Sequence, residues 1–200
     1  MPKYKYSRED IIRKKELDNI LLNMSKSNYL GLPDNGWASL GAMFWLFGKR
    51  VSEIIRVKTD DIYIVEDMLC VRFTVLKKKA KSEPPVPITY TKRITMENPY
   101  SIYITKYWYK VRDTQQEYMY PNPRTKTGYV NRESVWKMLK SVSGNISPHL
   151  FRHSLATMMA EHSGTAYEII NWFDWDRTDT ALEYIRRSGT MTQKQTNRKW

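Results

Sequence analysis

A chain of 200 residues is long enough for one domain with a hydrophobic core of its own. Hydrophobic residues make up 41% and charged residues 27%, ordinary values for a folded soluble protein, and no apolar run reaches the roughly 18 residues that a membrane span needs. The formal net charge of +12 points to a polyanionic partner, with nucleic acid first among them.

The N-terminus, MPKYKYSREDIIRKK, lacks the apolar region of an export signal, and Cys70 is the only cysteine, so the chain is expected to be intracellular and not secreted. Ile11, Ile12, Leu17, Ile20, Leu21 and Met24 recur near helical spacing behind Ser7, a candidate N-cap, which predicts a helix over about 7–25. After the loop GLPDNG, the stretch ASLGAMFWLFGKRVSEIIRV reads as an apolar helix that breaks near Gly48 and Lys49 and resumes, giving a helix pair over about 37–57.

DIYIVEDMLCVRFTVLKK holds β-branched and aromatic residues around a Glu66–Asp67 turn, which predicts a hairpin. A third strand is expected at 84–89 after the basic run KKKAK, so the sheet spans about 61–90. Helices follow from Met96 to Arg112 and near 131–143, 148–163 and 165–173. The aromatic cluster Tyr103, Tyr107, Trp108 and Tyr109 suits the core better than a surface for stacking bases. Thr180 and Glu183 have capping-box spacing, which places Tyr184 in the first turns of a last short helix. The expected architecture is mainly α with a small three-stranded antiparallel β-sheet (α+β). It forms a single domain over 1–187, followed by a basic tail at 188–200.

The densest chemical signal is SPHLFRHSLAT, residues 147–157. Ser147 and Pro148 suit a helix start, and His149 and Arg152 then share one face near an N-terminus that favours a phosphate. A plain helix start with a polar face fits the same residues. His149 and His153 have zinc-pair spacing, but Leu150 stands where a zinc peptidase needs its glutamate, and no metal is expected. In FGKRVSEIIRVKTDDI, Arg50, Glu53 and Arg56 also fit a ladder of surface pairs.

The order and spacing of these segments resemble the catalytic domain of the tyrosine recombinases, the phage integrase family. GKRVSEIIRVKTDDI resembles the family's first-arginine box, with Arg50 at the catalytic position and Glu53 beside it. PHLFRHSLAT resembles its H-x-x-R-H box, with His149 and Arg152 as the catalytic pair. FDW looks like the segment that usually reads leucine-glycine-histidine. Trp175 thus takes a position that holds His or Trp in the family, and Asp174 stands where the family has glycine. Tyr184, nine residues beyond Trp175, takes the place of the nucleophile. The basic turn before PVPI resembles the one carrying the family's catalytic lysine. Lys79 is the preferred match, and Lys77, Lys78 and Lys81 are expected to contact DNA.

The resemblance implies a site-specific recombinase or integrase of a mobile element that needs no cofactor. It would act on double-stranded DNA, away from membranes, and self-associate as a tetramer on two sites. Arg50, Arg152 and Trp175 would stabilise the charged phosphorane, His149 would take the proton from Tyr184, and Lys79 would protonate the leaving oxygen. Glu53 would orient a partner, and His153 is expected to hydrogen-bond inside the fold. Lys137 and Lys140 are candidate phosphate contacts. The basic tail after the nucleophile helix is expected to mediate assembly. Relaxation of DNA in the manner of the type IB topoisomerases, and a non-catalytic DNA-binding module of the same fold, are the alternatives.

Overall fold

A computed structural model describes residues 10–29, 32, 35–77, 86–162 and 164–188. Helix α1 (Lys14–Ser25) is followed by α2 (Gly36–Phe47), the short α3 (Val51–Ile54) and a 3₁₀ turn at Thr59–Asp61. Strands β1 (Ile62–Val65), β2 (Met68–Lys77) and β3 (Val86–Thr95) come next. They are followed by helices α4 (Ser101–Asp113), α5 (Arg132–Val142), α6 (Pro148–Glu161), α7 (Ala166–Phe173) and α8 (Thr178–Ser188).

Every residue of α2 is buried, and its composition explains why: GWASLGAMFWLF is apolar on all faces, so no face prefers water. Helices α1, α4 and α6 pack around it. At Gly41 an added Cβ would lie 2.8 Å from Leu21 Cδ2 and from Met24 Sδ, so the missing side chain is what lets α1 approach this closely. Phe151 of α6 stacks on Phe44 of α2 with ring centroids 5.8 Å apart. Tyr107 and Trp108 are buried core residues, while Tyr109 is exposed.

The sheet order is β1-β2-β3, antiparallel throughout, with Ile62 opposite Val71 and Val71 opposite Lys92. Leu69, Val71 and Phe73 of β2 are buried, and Phe73 meets Phe47 at the end of α2 at 5.3 Å. A second, smaller cluster is built from Ala156, Ala160, Ile169, Phe173, Ala181 and Ile185. It seats α7 and α8 on the far half of α6, and its three alanines allow close helix approach.

Three element boundaries differ from the sequence reading. Helix α1 begins at Lys14, not near Ser7; residues 10–13 precede it, and Ile12 is still buried there, its N–H donating to Ser154 Oγ at 2.8 Å. Strand β3 runs on to Thr95, past the expected end at about 90. Its polar run through Thr91, Lys92 and Arg93, half-buried and exposed in alternation, hides the strand from an apolar pattern. Helix α4 starts at Ser101, not Met96, because Asn98 Oδ1 accepts from the Tyr100 N–H at 3.1 Å and closes a turn first.

Truncating Phe151 to Ala should cost about 3–5 kcal/mol of folding stability in a denaturant titration, because the ring is fully buried against the central helix. A loss below about 1 kcal/mol would mean that α6 does not anchor the core as described.

Candidate catalytic site

The site is assembled where the break after α2, the start of α6 and the α7–α8 turn converge. Gly48 ends α2 in the left-handed conformation, φ 56°, and an added Cβ there would lie 2.4 Å from Phe173 Cε1. Glycine therefore meets two demands at once: the positive φ and the close seat of the Phe173 ring.

Arg50 caps α3. Its backbone N–H donates to Glu53 Oε2 at 2.9 Å, and its Nη1 donates to Glu53 Oε1 at 3.3 Å. Glu53 is buried, whereas the Arg50 side chain is 64% exposed, so one carboxylate holds both the backbone and one nitrogen of a guanidinium that is otherwise open to solvent. The expected ladder stops there, since Arg56 donates instead to the Tyr129 hydroxyl at 3.2 Å.

At the start of α6, Ser147 Oγ accepts from the Leu150 N–H at 3.1 Å and Pro148 occupies the first turn. His149 is exposed, while Arg152 and His153 are buried one turn further in. The Arg152 guanidinium donates through Nη1 to the Gly48 carbonyl at 2.6 Å and through Nη2 to the Phe173 carbonyl at 3.2 Å. Its Cζ lies 4.8 Å from the Phe173 ring centroid and 5.4 Å from that of Trp175. Burial pulls its pKa down to about 10, so it stays charged at neutral pH, with Glu53 favouring the charge.

Trp175 stacks with Phe173, at 4.8 Å, and with Tyr184, at 5.6 Å, both at an interplanar angle of 17°. The Tyr184 hydroxyl lies 3.2 Å from His153 Nδ1. His153, expected only to bond within the fold, is thus brought to the Tyr184 hydroxyl. His149 lies one turn earlier, at the helix start. The expected Thr180–Glu183 capping box is not formed. Helix α8 already begins at Thr178, which puts Tyr184 in its middle, and Glu183 instead accepts from Arg187 Nε at 2.8 Å.

Lys77 ends β2, and Lys78, Lys79 and Lys81 lie outside the described residues, as does the tail beyond Ser188. Lys137 forms an exposed pair with Glu133 at 2.7 Å, and Lys140 is exposed on the same helix. Among the described residues, no group of three or more His, Cys, Asp or Glu side chains converges as a metal site requires. No helix among them is long and apolar enough to cross a membrane.

Sequence reasoning missed one cluster. Lys49, fully buried, bonds Asp174, and Asp174 Oδ1 also accepts from Lys92 Nζ at 2.8 Å. Two signals were available: a lysine beside Arg50 in an otherwise apolar helix end, and an aspartate where the family has glycine. Neither shows in sequence that the two groups meet, 125 residues apart.

A family model described as the phage integrase family matches residues 11–190. No curated protein matches the chain in sequence. Among solved structures, XerH site-specific recombinase bound to difH substrate in a pre-cleavage complex is similar, with a TM-score of 0.64 and 15% identity over 88% of this chain and 49% of that one. XerA recombinase gives a TM-score of 0.65 and 14% identity over 100% of this chain and 68% of its own. The Tn1549 transposon integrase in complex with transposon right end DNA gives 0.60 and 9%, over 93% and 66%. The chain thus spans about half the length of XerH and about two thirds of the other two.

Burial lowers the Lys49 pKa from 10.5 to about 8, against the opposing pull of Asp174. Below pH 8 both folded and unfolded chains carry this proton. Between about 8 and 10.5 only the unfolded chain does, so the stability contributed by this residue rises with pH across that window. Denaturation of the wild type and Lys49→Met at several pH values should show their difference moving in favour of the wild type by up to about 3 kcal/mol over the window. A difference that stays flat would contradict a charged, buried Lys49.

Proposed function

The chain belongs to the phage integrase family, the tyrosine recombinases, and from that premise we propose that it cleaves and rejoins DNA strands through a 3′-phosphotyrosine formed on Tyr184. The observation that carries this reading is one continuous stack. The Arg152 guanidinium lies over Trp175, Trp175 lies on Tyr184, and the hydroxyl of Tyr184 is held by His153. A nucleophile, a proton partner and an anion-binding group thus share one site, with Arg50 on the adjoining turn.

Double-stranded DNA is the substrate class assigned, supported by the +12 charge and by the likeness to recombinase structures that hold DNA. The Tyr184 oxygen attacks the phosphorus, the bond to the 5′-oxygen breaks, and the protein is left esterified to the 3′-phosphate. The tyrosine proton passes to a histidine. His153 is within reach of the hydroxyl, and the exposed His149 stands at the positive end of α6, where a phosphate would sit. Arg50 and Arg152 grip the non-bridging oxygens; the Arg152 guanidinium has more N–H donors than its two carbonyl bonds use. Lys79 is assigned the proton for the leaving oxygen. Rejoining runs the same steps backwards, with the phosphodiester energy kept in the tyrosyl ester, so no ATP is consumed.

Exchange between two duplexes takes four strand cleavages and therefore four such sites, so we assign assembly as a tetramer on two DNA sites. Lys140 is the better candidate than Lys137 for a phosphate contact, because Glu133 already neutralises Lys137.

Duplexes selected from a random-sequence library by covalent capture on the wild type, then nicked to trap the adduct, supply a substrate for testing. On these, Tyr184→Phe should form no adduct while DNA affinity stays within a few fold, since it loses a hydroxyl and no charge. An adduct on the Phe variant would remove Tyr184 from this role.

Arg50→Lys and Arg152→Lys should each slow adduct formation by at least about a hundredfold, the scale of losing one oxyanion donor. Near-normal rates in both would reduce these arginines to general phosphate contacts. Recombination between two marked duplexes separates strand exchange from simple relaxation.

A further inference from the structure

Asp174 adopts the left-handed conformation at the end of α7, φ 52°, where a glycine would fit without strain. Its carboxylate is fully engaged. One oxygen accepts from Lys49 and the other from Lys92 of β3 at 2.8 Å. Lys49 Nζ also donates to the Trp172 carbonyl at 2.8 Å, and Lys92 Nζ donates to the Asn171 carbonyl. The Lys49 side chain is 0% exposed, and those of Asp174 and Lys92 are 11% and 12% exposed. The Phe73 ring of β2 covers the Lys49 ammonium at 5.7 Å; besides Asp174, the Lys92 ammonium opposes its charge and the Glu53 carboxylate supports it. Lys49 thus has no free path to a DNA phosphate unless it leaves Asp174.

The position of the cluster gives it a use. Lys49 immediately precedes Arg50, and Asp174 immediately precedes Trp175. The ion pair therefore runs beside the Arg152 bonds that join Gly48 to Phe173, so consecutive residues of the first turn are tied to consecutive residues of the second. We propose that the Lys49–Asp174–Lys92 cluster is a positioning device for strand cleavage, holding the turn that carries Trp175, and with it α8 and Tyr184, in register with Arg50. Lys49 and Asp174 are positioning residues that act through their neighbours and do not touch the substrate. The inference rests on the reading of the site as a tyrosine recombinase.

The test uses the full chain with Lys49→Met, Asp174→Asn and the double variant. Amide hydrogen exchange should show lost protection in α8 for Asp174→Asn while α2 stays protected, the latter being the control for folding. On the captured, nicked duplexes each single variant should form adduct at least about tenfold more slowly at saturating DNA, with Kd within about threefold. The double variant should be no slower than Asp174→Asn alone, because both changes remove the same tie. Three results would overturn the proposal: unchanged α8 protection, losses that multiply in the double variant, or slow cleavage explained by weakened DNA binding. If the wild type forms no adduct on any duplex, the recombinase reading fails, and the exchange measurement still decides whether the cluster holds α8.

Discussion

The buried guanidinium of Arg152 is the constraint on which the rest of the site depends. A charge taken out of water costs several kcal/mol unless it is paired and hydrogen-bonded. Here it is compensated by the Gly48 and Phe173 carbonyls, by the faces of Phe173 and Trp175, and by the nearby Glu53. These partners lie on two stretches far apart in sequence, 48–53 and 173–175, so satisfying one side chain brings together the α2–α3 turn and the α7–α8 turn on either side of α6. Gly48 is part of the same solution, because its φ of 56° belongs to the turn that offers a carbonyl to Arg152 and leaves room for Phe173.

Helix α6 performs two tasks along its length. Its first turns carry His149, Arg152 and His153, and its buried Phe151 locks it to the central helix. Its later turns present Ala156 and Ala160 to the small cluster that seats α7 and α8. Tyr184 therefore rides on a helix held by a satellite core, with far fewer large apolar groups than the main one. Elements of this kind open at lower free energy than the central helices. Polar and aromatic ties such as Trp175–Tyr184, His153–Tyr184 and the Lys49–Asp174 pair then have a disproportionate share in setting where the tyrosine sits.

Much of this was legible in the sequence, for identifiable reasons. The mainly helical fold with a three-stranded antiparallel sheet follows from periodicity and from the β-branched run around Glu66–Asp67. The start of α6 follows from Ser147 and Pro148, whose local chemistry needs no tertiary context. What stayed hidden depends on contacts between distant residues. Capping-box spacing at Thr180 was overruled by a helix that begins at Thr178, where docking of Ala181 and Ile185 outweighs a local cap. Strand β3 was cut short because its second half is polar in sequence, and Lys92 is half-buried there by pairing with Asp174. The partnership of His153 with Tyr184 requires knowing which face of α6 meets α8, and that of Lys49 with Asp174 requires the whole fold.

We propose the phenolic oxygen of Tyr184 as the nucleophile of a strand-cleaving site. Its most direct test is mass spectrometry of the wild-type adduct trapped on a nicked duplex, digested with protease and nuclease. The expected product is a nucleotide joined through its 3′-phosphate to Tyr184, in the peptide that spans α8. A 5′-linked adduct, or a 3′-linked one on any other side chain, would contradict it.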